Sequence, residues 1–192
     1  MSQATSFVLI RHAPTAAPGR YIGRTDLPAV LPEPEALGPL WDALSGVEHI
    51  CSSPLIRARQ TAGALFPELR AAIEPDLAEQ DFGAWENRRC SEVEMPQGLD
   101  AAELAAMTPP DGESFFALCG RVGPALERLR AAHEGDTLAV VAHAGVIRAA
   151  LVHALNAPAA AGIGFEIAPL SLTRITLFPD GGGAVGYVNR LV

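Results

Sequence analysis

The sequence predicts an α/β fold of three layers, α/β/α, with a mostly parallel central sheet and a C-terminal antiparallel β-hairpin at one edge. Three observations carry this. Short runs rich in Val, Leu and Ile, clearest at Phe7–Ile10 and Leu138–Ala142, read as strands buried on both faces, as parallel strands are. Between such runs lie stretches whose apolar residues recur at helical spacing. Near the end, Leu172–Phe178 and Ala184–Val188 flank Pro179-Asp180-Gly181-Gly182-Gly183, which signals a hairpin turn. A length of 192 residues fits one domain, 1–192, around a single sizeable core.

Phe7–Ile10 is the first strand, followed by a Pro/Gly/Ala-rich loop from Ala13 to Pro34. Loops this long in a compact domain are usually functional. Leu37, Leu40, Trp41 and Leu44 then mark a helix facing the core, and His49–Ser52 the next strand. Ser52-Ser53-Pro54 predicts a helix capped by serine, with proline in its first turn, running to about Phe66. A short strand near Ile73 precedes the acidic segment Glu79–Glu86. The pattern weakens from Asn87 to Pro110, which predicts a lid-like excursion at about 85–113. Asp111-Gly112-Glu113-Ser114 turns into a helix carrying Phe115, Leu118, Val122, Leu126 and Leu129, where Gly123-Pro124 predicts a break or kink. The strand Leu138–Ala142 leads to a helix over Val146–Leu155. No helix follows Gly181-Gly182-Gly183, so these glycines serve a turn and not a phosphate-cradling loop.

The formal charge is −8, and all 14 basic residues are arginines. The absence of lysine excludes Schiff-base chemistry, a Walker A loop and a kinase strand lysine. An acidic chain without a basic run lacks the footprint of a nucleic-acid binder, so an anion would be caught by local arginines. Cys51, Cys90 and Cys119 are odd in number and widely spaced, which suggests reduced thiols in a cytoplasmic protein. They form no zinc ribbon. Neither a secretory signal nor a stretch of membrane-spanning length is visible.

Arg11-His12 and His143 each follow an apolar strand, and ligands of open α/β sheets bind beyond the carboxyl ends of the strands. Both imidazoles are therefore expected at one rim. Arg57, early in the helix after Ser52, and Glu79 are expected there too. Two planar guanidinium forks with two imidazoles form a pocket for a phosphoryl group, helped by the positive ends of the helices after Ser53 and His143. His12, His143 and Glu79 could be drawn as a zinc triad, but two arginines packed around them would repel a cation. No metal or cofactor is expected. His49, His133 and His153 lack such flanking residues and are assigned no role. Arg148, one helical turn past His143, is read as a structural residue at the pocket border.

Leu9-Ile10-Arg11-His12-Ala13-Pro14-Thr15 resembles the signature of the histidine phosphatase superfamily, the phosphoglycerate mutase-like group. Ser52–Ala62, Leu77–Glu86 and Val141–Arg148 are similar to its second arginine, acid and second histidine segments, in the family's order over positions 9–148. The resemblance implies that His12 attacks phosphorus and forms a phosphohistidine. Glu79 protonates the leaving oxygen, with Asp81 as the alternative donor, and Arg11, Arg57 and His143 hold the phosphoryl oxygens. Gly19–Pro28 resembles the matching loop of α-ribazole phosphatases, making Thr15, Arg20, Tyr21 and Arg24 candidate substrate contacts. Two departures, Ala13 and Asn87 where the family usually carries glycine, bear on substrate choice. The expected partner is a small phosphorylated metabolite, hydrolysed because the excursion is too short to shield a phosphoenzyme from water. The alternatives are mutase-type phosphoryl transfer, or binding of a phospho-ligand without turnover.

Overall fold

A computed structural model describes residues 3–192. Its strands are β1 (Thr5–Arg11), β2 (His49–Ser52), β3 (Ala72–Ile73), β4 (Thr137–Ala142), β5 (Leu172–Leu177) and β6 (Gly183–Arg190). They form one mixed sheet in the order β3-β2-β4-β1-β5-β6. β1, β2, β3 and β4 pair in parallel, while β5 runs antiparallel to both β1 and β6. The helices are α1 (Gly38–Leu44), α2 (Ile56–Leu65), α3 (Ala101–Ala106), α4 (Phe115–Ala132), α5 (Ala144–Ala154) and α6 (Ala160–Ile163).

The two-residue period of the strands sorts these helices into two layers. Phe7 and Leu9 of β1, with Leu138 and Val140 of β4, face one core built with Leu118, Val122 and Leu126 of α4 and Ile147 and Leu151 of α5. Val8 and Ile10, with Ala139 and Val141, face the opposite core, filled by Leu40 and Leu44 of α1 and Ala58, Ala62 and Leu65 of α2. Residues of β1 and β4 are buried on both sides, which is why these runs lack polar alternation. Gly181 and Gly182 adopt positive φ in the β5–β6 turn.

The structure differs from the sequence expectation at four elements. β1 starts at Thr5 because the Thr5 hydroxyl lies 2.9–3.0 Å from the carbonyls of Arg130 and His133, satisfying a buried polar residue at the strand's start. α2 starts at Ile56, not in the first residues after Ser53, so Pro54 precedes the helix. Its N-terminus is capped by Asp26 from the long loop, whose Oδ1 accepts the Ile56 N–H at 2.6 Å. α4 runs unbroken through Pro124. Burial of Leu118, Val122, Ala125 and Leu126 outweighs the roughly 3 kcal/mol that an interior proline costs, and the exposed Gly120 carbonyl, deprived of its partner, can turn to water. Finally, α3 forms within the weakly patterned stretch. Its signal was Asp100-Ala101-Ala102-Glu103, a capping box in which Asp100 accepts from Ala102 and Glu103 while Glu103 accepts from Asp100.

Candidate active site

Parallel pairing brings the carboxyl ends of β1, β2 and β4 to one rim. The His12 N–H donates to the Ala142 carbonyl at 2.9 Å and the Ser53 N–H to Val141 at 3.0 Å, so His12, Ser53 and His143 leave their strands side by side. The His12 and His143 rings stand 5.0 Å apart at 60°. The His12 ring borders a cavity of about 490 Å³.

The hydrogen bonds of His12 fix its tautomer. Nδ1 lies 2.6 Å from the Ala13 carbonyl, which can only accept, so the ring proton sits there. Nε2 keeps its lone pair and accepts the Arg57 Nε–H at 3.2 Å. Burial foremost, with the charges of Arg57 and Arg11, pushes the His12 pKa down to about 3 against the opposing Ala13 hydrogen bond. His143 is fully buried, and burial, then Arg57 and His12, hold it far below the ordinary histidine range. Its Nε2 lies 2.6 Å from the Ser53 hydroxyl, while Nδ1 meets no partner among the described residues. Arg11 donates through Nη1 to the Ile167 carbonyl, and its buried Nε likewise meets no partner among them. Two nitrogens at this rim are thus buried without acceptors, an arrangement that ordinarily costs about 1–3 kcal/mol per group.

Arg57 is completely buried, and the long loop is folded around it. Its guanidinium donates to the carbonyls of Thr25 at 3.0 Å and Gly23 at 2.7 Å. The loop is held in turn by Glu86, whose carboxylate accepts the N–H groups of Gly23, Arg24, Thr25 and Phe82 at 2.7–3.2 Å and the Thr25 hydroxyl. Burial alone would raise the Glu86 pKa, but these hydrogen bonds bring it below the usual range. Gly23 is required by this closeness: a Cβ there would fall 1.9 Å from the Gln80 carbonyl oxygen.

Glu79 is 8% exposed and is the one carboxylate in the cavity wall among the described residues. It accepts the Gly145 N–H at 3.1 Å, at the N-terminus of α5, and the Gln80 N–H at 2.9 Å. A Cβ at position 145 would lie 2.3 Å from its Oε1. The main chain beneath Glu79 is fixed by Arg121 of α4, which donates to the carbonyls of Asp76, Ala78 and Glu79 and pairs with Glu113.

Of the sequence candidates, Arg11, His12, Arg57 and Glu79 line the cavity, and His143 lies behind them against His12. Thr15, Arg20 and Tyr21 line it as well. Arg24 does not; its guanidinium reaches out to Glu113 at 3.7 Å. Asp81, the alternative acid, accepts the Gly83 N–H at 2.8 Å in a tight turn outside the wall, because a short side chain two residues before an amide closes an Asx-type turn. Ser53, expected as a helix cap, instead supports His143. Arg148 both borders the cavity and donates to the Phe165 carbonyl at 2.7 Å. The 85–113 segment, expected as a lid, contributes no wall residue among those described. It backs the cavity loop instead, where Asn87 donates to the Tyr21 carbonyl at 2.8 Å and Cys90 to Gly19 at 2.9 Å.

The structural roles of Glu86, Arg121 and Glu113 were not read from the sequence. In the sequence, the signal for Arg121 is an arginine set among the apolar positions Leu118, Val122 and Leu126. The two departures have conformational explanations. Ala13 keeps an ordinary negative φ, while Asn87 has φ +61°, which asparagine tolerates better than most side chains.

A model of the histidine phosphatase superfamily (branch 1) matches residues 7–190. The chain is 35% identical over 150 residues to a bifunctional protein of Mycobacterium tuberculosis, covering 76% of this chain and 41% of that one, so it spans about two fifths of that relative's length. It is 29% identical over 172 residues to the adenosylcobalamin/alpha-ribazole phosphatase of Escherichia coli, covering 83% of each. The solved structure of mycobacterial hydrolase 1 superposes with a TM-score of 0.88 at 23% identity, over 99% of this chain and 100% of that one, and carries the same fold.

Proposed function

This chain belongs to branch 1 of the histidine phosphatase superfamily, and on that premise we propose that it hydrolyses a small phosphorylated metabolite through a phosphohistidine on His12. The observation that carries the reading is the neutral His12 ring, its Nε2 lone pair turned to Arg57 beside two buried nitrogens without acceptors. A bound phosphoryl group supplies acceptors to all three. Its oxygens replace Nε2 as the partner of the Arg57 Nε–H and meet Arg11 Nε. The Ser53 hydroxyl donating to His143 Nε2 leaves the ring proton on Nδ1, facing a third oxygen.

In the first step His12 Nε2 bonds to phosphorus as the ester P–O bond breaks, and Glu79 passes its proton to the leaving oxygen. In the second, water attacks phosphorus, returns a proton to Glu79 and releases phosphate from Nε2. In this reading Arg11, Arg57 and His143 hold the equatorial oxygens, where charge collects. Hydrolysis is favoured over mutase-type transfer because the 85–113 segment backs the loop and adds nothing to the cavity wall, leaving the phosphoenzyme open to water.

The α-ribazole 5′-phosphate reading rests on the E. coli relative and on Gly19–Ile22, the part of the resembling loop that lines the cavity. Tyr21, Phe82, Phe115 and Ile163 give the cavity apolar surface suited to a flat leaving group. That substrate would place the chain in cobalamin assembly. Three free thiols fit a cytoplasmic setting, and among the described residues no helix is long and apolar enough to cross a membrane.

The test is turnover of p-nitrophenyl phosphate by the wild type and His12→Ala, in excess EDTA, followed by a panel of phosphate esters including α-ribazole 5′-phosphate. The wild type is expected to turn over without metal, and His12→Ala to lose activity at least 10³-fold. Undiminished turnover in the variant refutes the mechanism; a binder without turnover shows none in either protein.

A further inference from the structure

His49, His133 and Asp136 gather at the end of the sheet opposite the cavity, where they are the compact group of potential metal ligands among the described residues. His49 opens β2, His133 follows α4, and Asp136 closes the turn into β4. One donor atom from each lies within 4.8 Å of the other two. Asp136 Oδ2 is 3.4 Å from His49 Nε2 and 4.0 Å from His133 Nδ1. The two imidazole rings stand 4.8 Å apart at 45°. Ligands about 2.0–2.2 Å from a tetrahedral ion are roughly 3.3 Å from one another, so the triad needs a contraction of up to about 1.5 Å, within reach of side-chain rotation.

The frame that carries two of these ligands is already fixed. The Asp136 N–H donates to the His133 carbonyl at 3.1 Å, and the Ser6 N–H to the Asp136 carbonyl at 3.0 Å. The Thr5 hydroxyl holds the His133 carbonyl from the other side at 2.9 Å. His49 is held by parallel pairing, opposite Leu138, two residues past Asp136. Asp136 supplies a negative charge to this cluster. Arg130, the nearest arginine in sequence, is committed to Glu127 and Glu134, at 2.8 and 3.7 Å.

We propose that His49, His133 and Asp136 form a binding site for a divalent transition-metal ion, Zn²⁺ or its neighbours Ni²⁺ and Cu²⁺, with the remaining coordination positions open to water. Two imidazoles and one carboxylate are the donor set such ions take, whereas Mg²⁺ and Ca²⁺ favour oxygen alone. Being at the amino-terminal ends of β2 and β4, the ion takes no part in chemistry at their carboxyl ends. It ties the C-terminus of α4 to the two strands that lead to Ser53 and His143, and acts as a clip on the fold.

Calorimetric titration of Zn²⁺ into the tag-free, chelator-stripped full chain tests this, alongside His49→Ala, His133→Ala and Asp136→Asn. All three positions are at least partly exposed, so the variants should fold; circular dichroism checks that they do. The expected result is one ion per chain, with affinity weakened at least tenfold in every variant. Turnover of p-nitrophenyl phosphate without added metal should stay unchanged. At free Zn²⁺ a hundred times Kd, the wild-type Tm should rise by about 5–10 °C and the variants' by far less. No saturable binding below about 1 mM overturns the proposal. So does a weakening of less than tenfold in any variant, which would place the ion elsewhere, such as on the rim histidines. Neither result bears on phosphohydrolysis, which His12→Ala tests separately.

Discussion

A histidine that is to attack phosphorus must be unprotonated, and burial between two guanidinium groups is what keeps His12 so. The sequence placed Arg11 beside it and supported the effect of a neighbouring like charge. It could not show that burial would dominate, because burial comes from residues far along the chain. With the His12 pKa near 3, the ring stays neutral from pH 7 to below pH 5. The kcat/KM for p-nitrophenyl phosphate, which reports the free enzyme, should therefore show no acid limb centred near 6.5, the ordinary histidine value. A fall to about half near pH 6.5, with folding intact by circular dichroism, would contradict this assignment. Residue identity at the rim was legible for Arg11, His12, Arg57, Glu79 and His143 because each lies beside a strand end or in a motif. Arg24 was not placed correctly: neighbouring loop residues can point in opposite directions, and sequence spacing does not say which.

At the scale of elements, the loop from Ala13 to Pro34 has little regular structure, yet it holds the buried Arg57 by main-chain carbonyls. Glu86 organises that loop from 60 or more residues away, gathering three of its amide N–H groups and one hydroxyl, together with the nearby Phe82 N–H. Glu86→Ala would leave those donors without a partner, and the expected loss of stability is about 1–3 kcal/mol. Because Arg57 would lose its fixed carbonyls, kcat is expected to fall about 10–100-fold, with partial recovery in Glu86→Gln. Urea unfolding and p-nitrophenyl phosphate kinetics measure both; unchanged kcat in a destabilised variant would separate Glu86 from the site. Such ties are hard to read from one sequence, since a carboxylate bound to amides carries no local pattern. The same limit explains α2, where the cap is Asp26 and not the adjacent Ser53. In α4, by contrast, the apolar period prevails and the helix continues through Pro124.

The whole molecule places two neutral histidines inside a fold whose unfolded chain would protonate them near pH 6.5. Both folded pKa values are depressed, so as pH falls below 6.5 the unfolded state binds protons that the folded state refuses, and stability drops. Between pH 7 and pH 5 the two rings together are expected to remove about 2–4 kcal/mol, read as a lower urea midpoint, with a smaller slope in His143→Gln. A midpoint unchanged over that range would mean that the rings titrate in the folded protein. The layered sheet, the hairpin edge and the common rim were legible because they follow from strand runs and the carboxyl-end rule. The 85–113 segment was legible only as an irregular stretch, and its place behind the cavity loop emerged from tertiary contacts. The central claim is that His12 Nε2 accepts the phosphoryl group. Rapid mixing with a phosphate ester, an alkaline denaturing quench and peptide mass spectrometry should find one phosphoryl group on His12 during turnover and none in His12→Ala. Phosphate on another residue, or steady turnover with no phosphorylated peptide at any mixing time, would contradict it.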